Sequence, residues 1–169
     1  MVRDNEDMMM QYLSGGTVIR QATATDVEAI YALIKTHSER GIMLPRSKYK
    51  IFSRLQGFVV LEEEQQGIIG CGALVILWGD LAEIQSLVIA AGFQGQGYGK
   101  AIATSLINRA AALNIPKVLT LTYQVEFFRT LGFDIVNKDS IPRKIWGECL
   151  ECPKLEECDE TAMIYQITW

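Results

Sequence analysis

The chain has 169 residues, with 16 basic and 20 acidic side chains and a net charge of −4. Hydrophobic residues make up 49% and charged residues 21%, which excludes wholesale disorder and suits one domain with a real core. The mild acidity gives no general attraction for nucleic acid or anionic lipid, and no apolar run approaches the ~20 residues of a membrane helix.

The start carries Asp4, Glu6 and Asp7 and no apolar segment follows, so residues 1–16 are expected as a flexible leader and the protein as cytoplasmic. Thr17–Gln21 reads as a short strand. Thr25-Asp26-Val27-Glu28 reads as a capping box for a helix that carries Ile30, Leu33 and Ile34 on one face and ends before Gly41. Ser47 is placed to cap a second helix through Arg54. Phe58–Leu61 and Ile68–Leu77 form a hairpin around the polar Glu62–Gln66, and Gly79-Asp80 turns the chain into a strand over Leu81–Ile89. Gly97–Leu113 is the clearest helix, with Ile102, Leu106, Ala110 and Leu113 at helical spacing before Pro116. Val118–Leu121 reads as a buried strand and Val125–Leu131 as a short helix closed by Gly132. Phe133–Val136 and Ala162–Thr168 complete the strands. The order predicts one α+β domain over 17–169, with helices flanking a mixed sheet.

The most informative segment is the strand-to-helix turn Leu87-Val88-Ile89-Ala90-Ala91-Gly92-Phe93-Gln94-Gly95-Gln96-Gly97-Tyr98-Gly99-Lys100. Its glycines leave backbone N–H groups bare at a helix N-terminus, where the dipole favours anions, so the turn is a cradle for phosphate. It is not a Walker loop, because Gly99-Lys100 is followed by Ala101. It is not a dinucleotide fingerprint either, since the spacing is G-x-G-x-G.

Gln94-x-x-Gly97-x-Gly99 resembles the pyrophosphate loop of the GCN5-related N-acetyltransferase (GNAT) family, and Phe127-Phe128-Arg129-Thr130-Leu131-Gly132-Phe133 resembles its short-helix motif. The resemblance implies a mainly antiparallel, mixed sheet whose central strands splay around acetyl-CoA. It implies that Leu87, Val88 and Ile89 pair with the pantetheine arm, and that Gln94, Gly95, Gln96, Gly97, Tyr98, Gly99 and Lys100 hold the diphosphate. Many relatives carry an acidic tyrosine where this chain has Phe128; the resemblance implies Phe128 as a cofactor contact, and Tyr123 is either a substitute acid or a packing or ligand-contact aromatic. Glu83, an acid in an apolar strand run, is the candidate base. The single histidine, His37, is expected at the surface.

Glu39–Ser47 and the stretch from Arg143 through Cys149, Cys152 and Cys158 to Met163 resemble short bacterial N-acetylglutamate synthases. That resemblance implies a small-molecule amine partner, L-glutamate, with Arg46 as one carboxylate ligand and Lys144 or Arg143 as the other, and a homodimer is common in the family. The wider alternatives are another amine acceptor or a non-catalytic acyl-CoA sensor. The C-x2-C-x5-C pattern, with Asp159 as a conceivable fourth ligand, lacks a second C-x2-C pair, so no metal is assigned and packed or redox-sensitive thiols stay open.

Overall fold

The computed structural model describes residues 10–141 and 158–169. The strands are β1 (Gln11–Leu13), β2 (Thr17–Gln21), β3 (Phe58–Glu63), β4 (Gly67–Trp78), β5 (Leu81–Ile89), β6 (Lys117–Thr122), β7 (Asp134–Ile135) and β8 (Thr161–Gln166). The helices are α1 (Val27–Ser38), α2 (Lys48–Ser53), α3 (Tyr98–Ala112) and α4 (Val125–Thr130). The strands form one sheet in the order β1-β2-β3-β4-β5-β6-β8-β7. The described registers are antiparallel except for β5 with β6. No described helix is long and apolar enough to cross a membrane.

Two compact units are distinguishable. One comprises the chain up to Ala73 together with Ser86–Leu106, the other Leu74–Gln85 with the chain from Ile107 onward. In the first, α1 buries Val27, Ile30 and Ile34 against Ile51 of α2, Phe58 and Val60 of β3, Cys71 and Ala73 of β4 and Val88 of β5. Each such fully buried aliphatic contributes about 1.5–3 kcal/mol of transfer free energy. Ser47 caps α2 as its sequence position demands, accepting the Lys50 N–H at 3.2 Å. In the second unit, Leu81, Leu119, Ile141 and Ala162 form the core, and Phe128 packs edge-on against Phe133 at 5.1 Å.

Three expectations change. Residues 11–16, assigned to the leader, form a strand and tight turn instead. Gln11 to Leu13 pair with Ile19 to Thr17, and Gly15 and Gly16 at φ +77° and +72° give the left-handed turn that joins them. Residues 1–9 lie outside the described residues. The capping box sits two residues early, on a 3-10 turn (Ala24–Asp26) that leads into α1: Thr23 N–H donates to Asp26 Oδ2 at 2.7 Å, not Thr25 to Glu28. Arg20 explains the shift. It grips the Asp26 carboxylate with both terminal nitrogens at 2.8 and 2.9 Å and bonds Glu62 at 2.7 Å. Finally, Leu113, expected on the buried face of α3, is 53% exposed, because the helix has ended at Ala112.

Candidate active site

The turn after β5 is built by backbone conformation. Ile89 is followed by a 3-10 turn (Ala91–Phe93), and the Gln94 side-chain amide donates back to the Ile89 carbonyl at 3.1 Å, closing the turn over the strand end. Gly95 and Gly97 have φ of +77° and +83°, and nothing lies within 4 Å of where a Cβ would stand on Gly92, Gly95 or Gly97. Gly95 and Gly97 are therefore needed for their angles, and the face above all three glycines is open. The Gly97 carbonyl accepts from Ala101 N–H at 3.1 Å, so Gly97 caps α3. The N–H groups of Tyr98, Gly99 and Lys100 then belong to the first turn, where no intrahelical acceptor exists. Left-handed glycines ahead of such donors make a nest for an anion. Gln94 to Gly97 and Lys100 are exposed, while Tyr98 and Gly99 are half-buried. An open rim of donors with a lysine beside it fits a diphosphate.

The helix behind the turn can come this close because β4 is bare beneath it. A Cβ on Gly72 would stand 2.7 Å from Ile102 Cγ2 and 3.1 Å from Leu106 Cδ1, and one on Gly70 would stand 2.8 Å from Ile89 Cδ1. Sequence reasoning overlooked both glycines. Their i, i+2 spacing on a strand was the available signal. It also overlooked Ser86, whose φ of +53° interrupts β5 just before Leu87. The Ser86 carbonyl accepts from Cys71 Sγ at 3.4 Å, and burial pushes the Cys71 thiol up to about 12, so this cysteine is an inert strut. Beyond Ser86, Val88 enters the core and Leu87 and Ile89 are half-buried.

In the second unit, β5 and β6 run parallel in register from Leu81 with Lys117 to Glu83 with Leu119. Glu83 is half-buried there, and its Oε2 accepts from the Gln85 side-chain amide at 2.7 Å. Tyr123 follows β6, is 39% exposed, and donates to Asp159 Oδ1 at 2.7 Å. Phe128, expected against the cofactor, is 4% exposed and packs edge-on between Phe127 at 5.0 Å and Phe133 at 5.1 Å. Arg46, in the first unit, is half-buried in the connection between α1 and α2. Lys144, Cys149 and Cys152 lie outside the described residues. Among the described residues, Cys71 and Cys158 are free thiols and no group of three metal-ligating side chains occurs. His37 is half-buried rather than fully at the surface, its Nδ1 3.0 Å from the Leu33 carbonyl.

The model of the acetyltransferase (GNAT) family matches residues 24–133, a span that includes the turn and the short-helix motif. The chain belongs to the GNAT acetyltransferase family. It is therefore an acetyl-CoA-dependent N-acetyltransferase. It is 33% identical over 148 residues to an N-acetyltransferase of Chlorobaculum tepidum, covering 88% of this chain and 95% of that one. It is 32% identical over 133 residues to an amino-acid acetyltransferase of Mycobacterium tuberculosis, covering 78% and 76%. Among solved structures, Rv2747 of Mycobacterium tuberculosis in complex with CoA and NLQ matches at TM-score 0.77 and 27% identity, over 89% of this chain and 99% of that one. The N-acetylglutamate synthase of Neisseria gonorrhoeae, complexed with coenzyme A and N-acetyl-glutamate, matches at TM-score 0.81 and 26% identity, over 90% of this GNAT chain but 35% of its own.

Proposed function

We propose that this acetyltransferase acts on the α-amine of L-glutamate, as a cytoplasmic, homodimeric enzyme of arginine biosynthesis whose acetyltransferase domain takes in β1 as well as the chain from residue 17. The observation that carries the acceptor class is the likeness to the amino-acid acetyltransferase of Mycobacterium tuberculosis over about three quarters of both chains.

Acetyl-CoA supplies an acyl thioester that a neutral amine opens directly once both are held in register. The N–H groups from Gln94 to Lys100 hold the diphosphate, and the main chain of Leu87, Val88 and Ile89 pairs with the pantetheine arm as an added strand would. Arg46 forms a bidentate pair with one carboxylate of glutamate, and Lys144 meets the other. Glu83 takes the proton that the amine must lose. Phe128 has no ionisable group, so the thiolate leaves unaided or through water unless Tyr123 supplies the proton.

The test is release of free thiol from acetyl-CoA in the presence of a panel of amines, for the wild type and Arg46→Ala. Release with glutamate, and a KM for glutamate raised about tenfold in Arg46→Ala with that for acetyl-CoA unchanged, is the expected result. Release only with other amines overturns the acceptor, and coenzyme binding without turnover on any amine makes the protein a sensor.

A further inference from the structure

Tyr123 closes β6 and Asp159 precedes β8. The antiparallel register that pairs Thr122 with Thr161 brings them to the same end of the sheet, although 36 positions separate them. The phenol donates to Asp159 Oδ1 at 2.7 Å. The main chain just before Asp159 is held as well: Lys138 Nζ donates to the Cys158 carbonyl at 3.0 Å and lies 3.4 Å from its Sγ. Lys138 sits in a 3-10 turn (Lys138–Ser140) that Asn137 caps, accepting the Asp139 N–H at 2.9 Å. Tyr123 and Asp159 are both exposed, so the pair is presented to solvent rather than used as core packing.

A phenol has one proton. Given to a carboxylate, it leaves the oxygen's lone pairs as acceptors. Losing that proton elsewhere would set a phenolate beside Asp159. The surroundings oppose a phenolate: Asp159, Glu160 and Cys158 all act to hold the proton on Tyr123, and Lys138 bonds Cys158. The hydrogen bond to Asp159, then burial, then these charges push Tyr123 up to about 12. An ordinary thiol titrates near 8.5 and is the stronger acid, so a departing thiolate would draw this proton uphill. The arrangement suits accepting a hydrogen bond and opposes giving a proton away.

Resting on the reading of this protein as an amine acetyltransferase, we propose that Asp159 is a positioning residue: it locks the Tyr123 hydroxyl as a hydrogen-bond acceptor for the N–H of the acceptor amine, so that Tyr123 recognises that amine and does not protonate the leaving group. An amine in either charge state is the class of ligand that such an oxygen beside a carboxylate favours.

The experiment compares Tyr123→Phe, Asp159→Asn and the double variant with acetyl-CoA and the amine panel. Tyr123→Phe is expected to raise the KM for the amine about three- to tenfold, the value of one lost hydrogen bond, and to leave the KM for acetyl-CoA alone. Asp159→Asn is expected to move the same parameter in the same direction, and the double variant to be no worse than Tyr123→Phe. Tyrosinate absorbance gives an independent reading. With the signal of the matching Tyr123→Phe background subtracted, Asp159→Asn should bring the Tyr123 midpoint down from about 12 toward the free value of about 10. A midpoint unmoved by Asp159→Asn overturns the positioning role. A Tyr123→Phe variant that loses kcat with an unchanged amine KM makes Tyr123 the proton donor and overturns the acceptor role. A wild type that turns over no amine overturns the proposed function and the acceptor role with it, while the phenol titration still reports on the Tyr123–Asp159 pair separately.

Discussion

The turn at Gln94–Lys100 and the end of β6 at Tyr123 expose different kinds of polar atoms. The turn offers main-chain N–H groups, and its side chains matter chiefly by being absent at Gly95 and Gly97, whose φ values are +77° and +83°. The end of β6 offers side-chain oxygens, aimed by a hydrogen bond between residues distant in the chain. The first kind of site depends on local backbone angles and on the bare strand beneath it at Gly70 and Gly72. The second depends on sheet register: the pairing of Thr122 with Thr161 is what brings Asp159 to Tyr123. A main-chain nest is thus written locally, and a side-chain pair is written in topology.

The largest expected effect separates chemistry from binding. Glu83→Gln should lower kcat about a hundredfold, the range of general-base contributions, with KM for acetyl-CoA unchanged because the turn does not use Glu83. An unaltered kcat would remove Glu83 as the base and leave the reacting end of the molecule to other groups. Asp26→Asn is the smaller and complementary change, touching neither region. It breaks the bidentate bond from Arg20 and the cap at Thr23, so about 2 kcal/mol of stability should be lost, read by urea unfolding, with both KM values of the folded protein intact. The hydrogen bond from Arg20 holds the Asp26 carboxyl below its ordinary value, despite an opposing contribution from burial. A carboxyl with a lowered native pKa stabilises fully above the unfolded value of about 3.9, and that stability fades as pH falls through the native value. The gap between wild type and Asp26→Asn should therefore be constant from about pH 5 to pH 8 and close below about pH 4.

The same contrast explains what could be read from residues alone. β5 was legible in full, Leu81–Ile89, because a polar turn and a glycine turn bound an apolar run. α3 was legible because Ile102, Leu106 and Ala110 recur at helical spacing and all three are fully buried. The turn was legible because a cluster of glycines permits the left-handed angles that Gly95 and Gly97 adopt. β1 was not, since Gln11–Leu13 carries only three residues and takes its order from pairing with β2. Arg20 gripping Asp26 was hidden for a similar reason: a strand residue and a helix cap meet only after folding. Asp159 was read beside the cysteines that surround it in sequence, whereas its described partner, Tyr123, comes from the other side of a strand pairing. Nothing local announces a contact made across 36 positions.

Calorimetric titration of coenzyme A into the wild type and Gly97→Ala tests the central claim most directly, that a left-handed main-chain nest holds the diphosphate. A methyl at φ +83° costs about 1–2 kcal/mol of backbone strain and disturbs the aim of the N–H groups. The wild type should bind, and Gly97→Ala should bind about tenfold more weakly or worse. No heat with the wild type, or equal affinity in the two proteins, would contradict it.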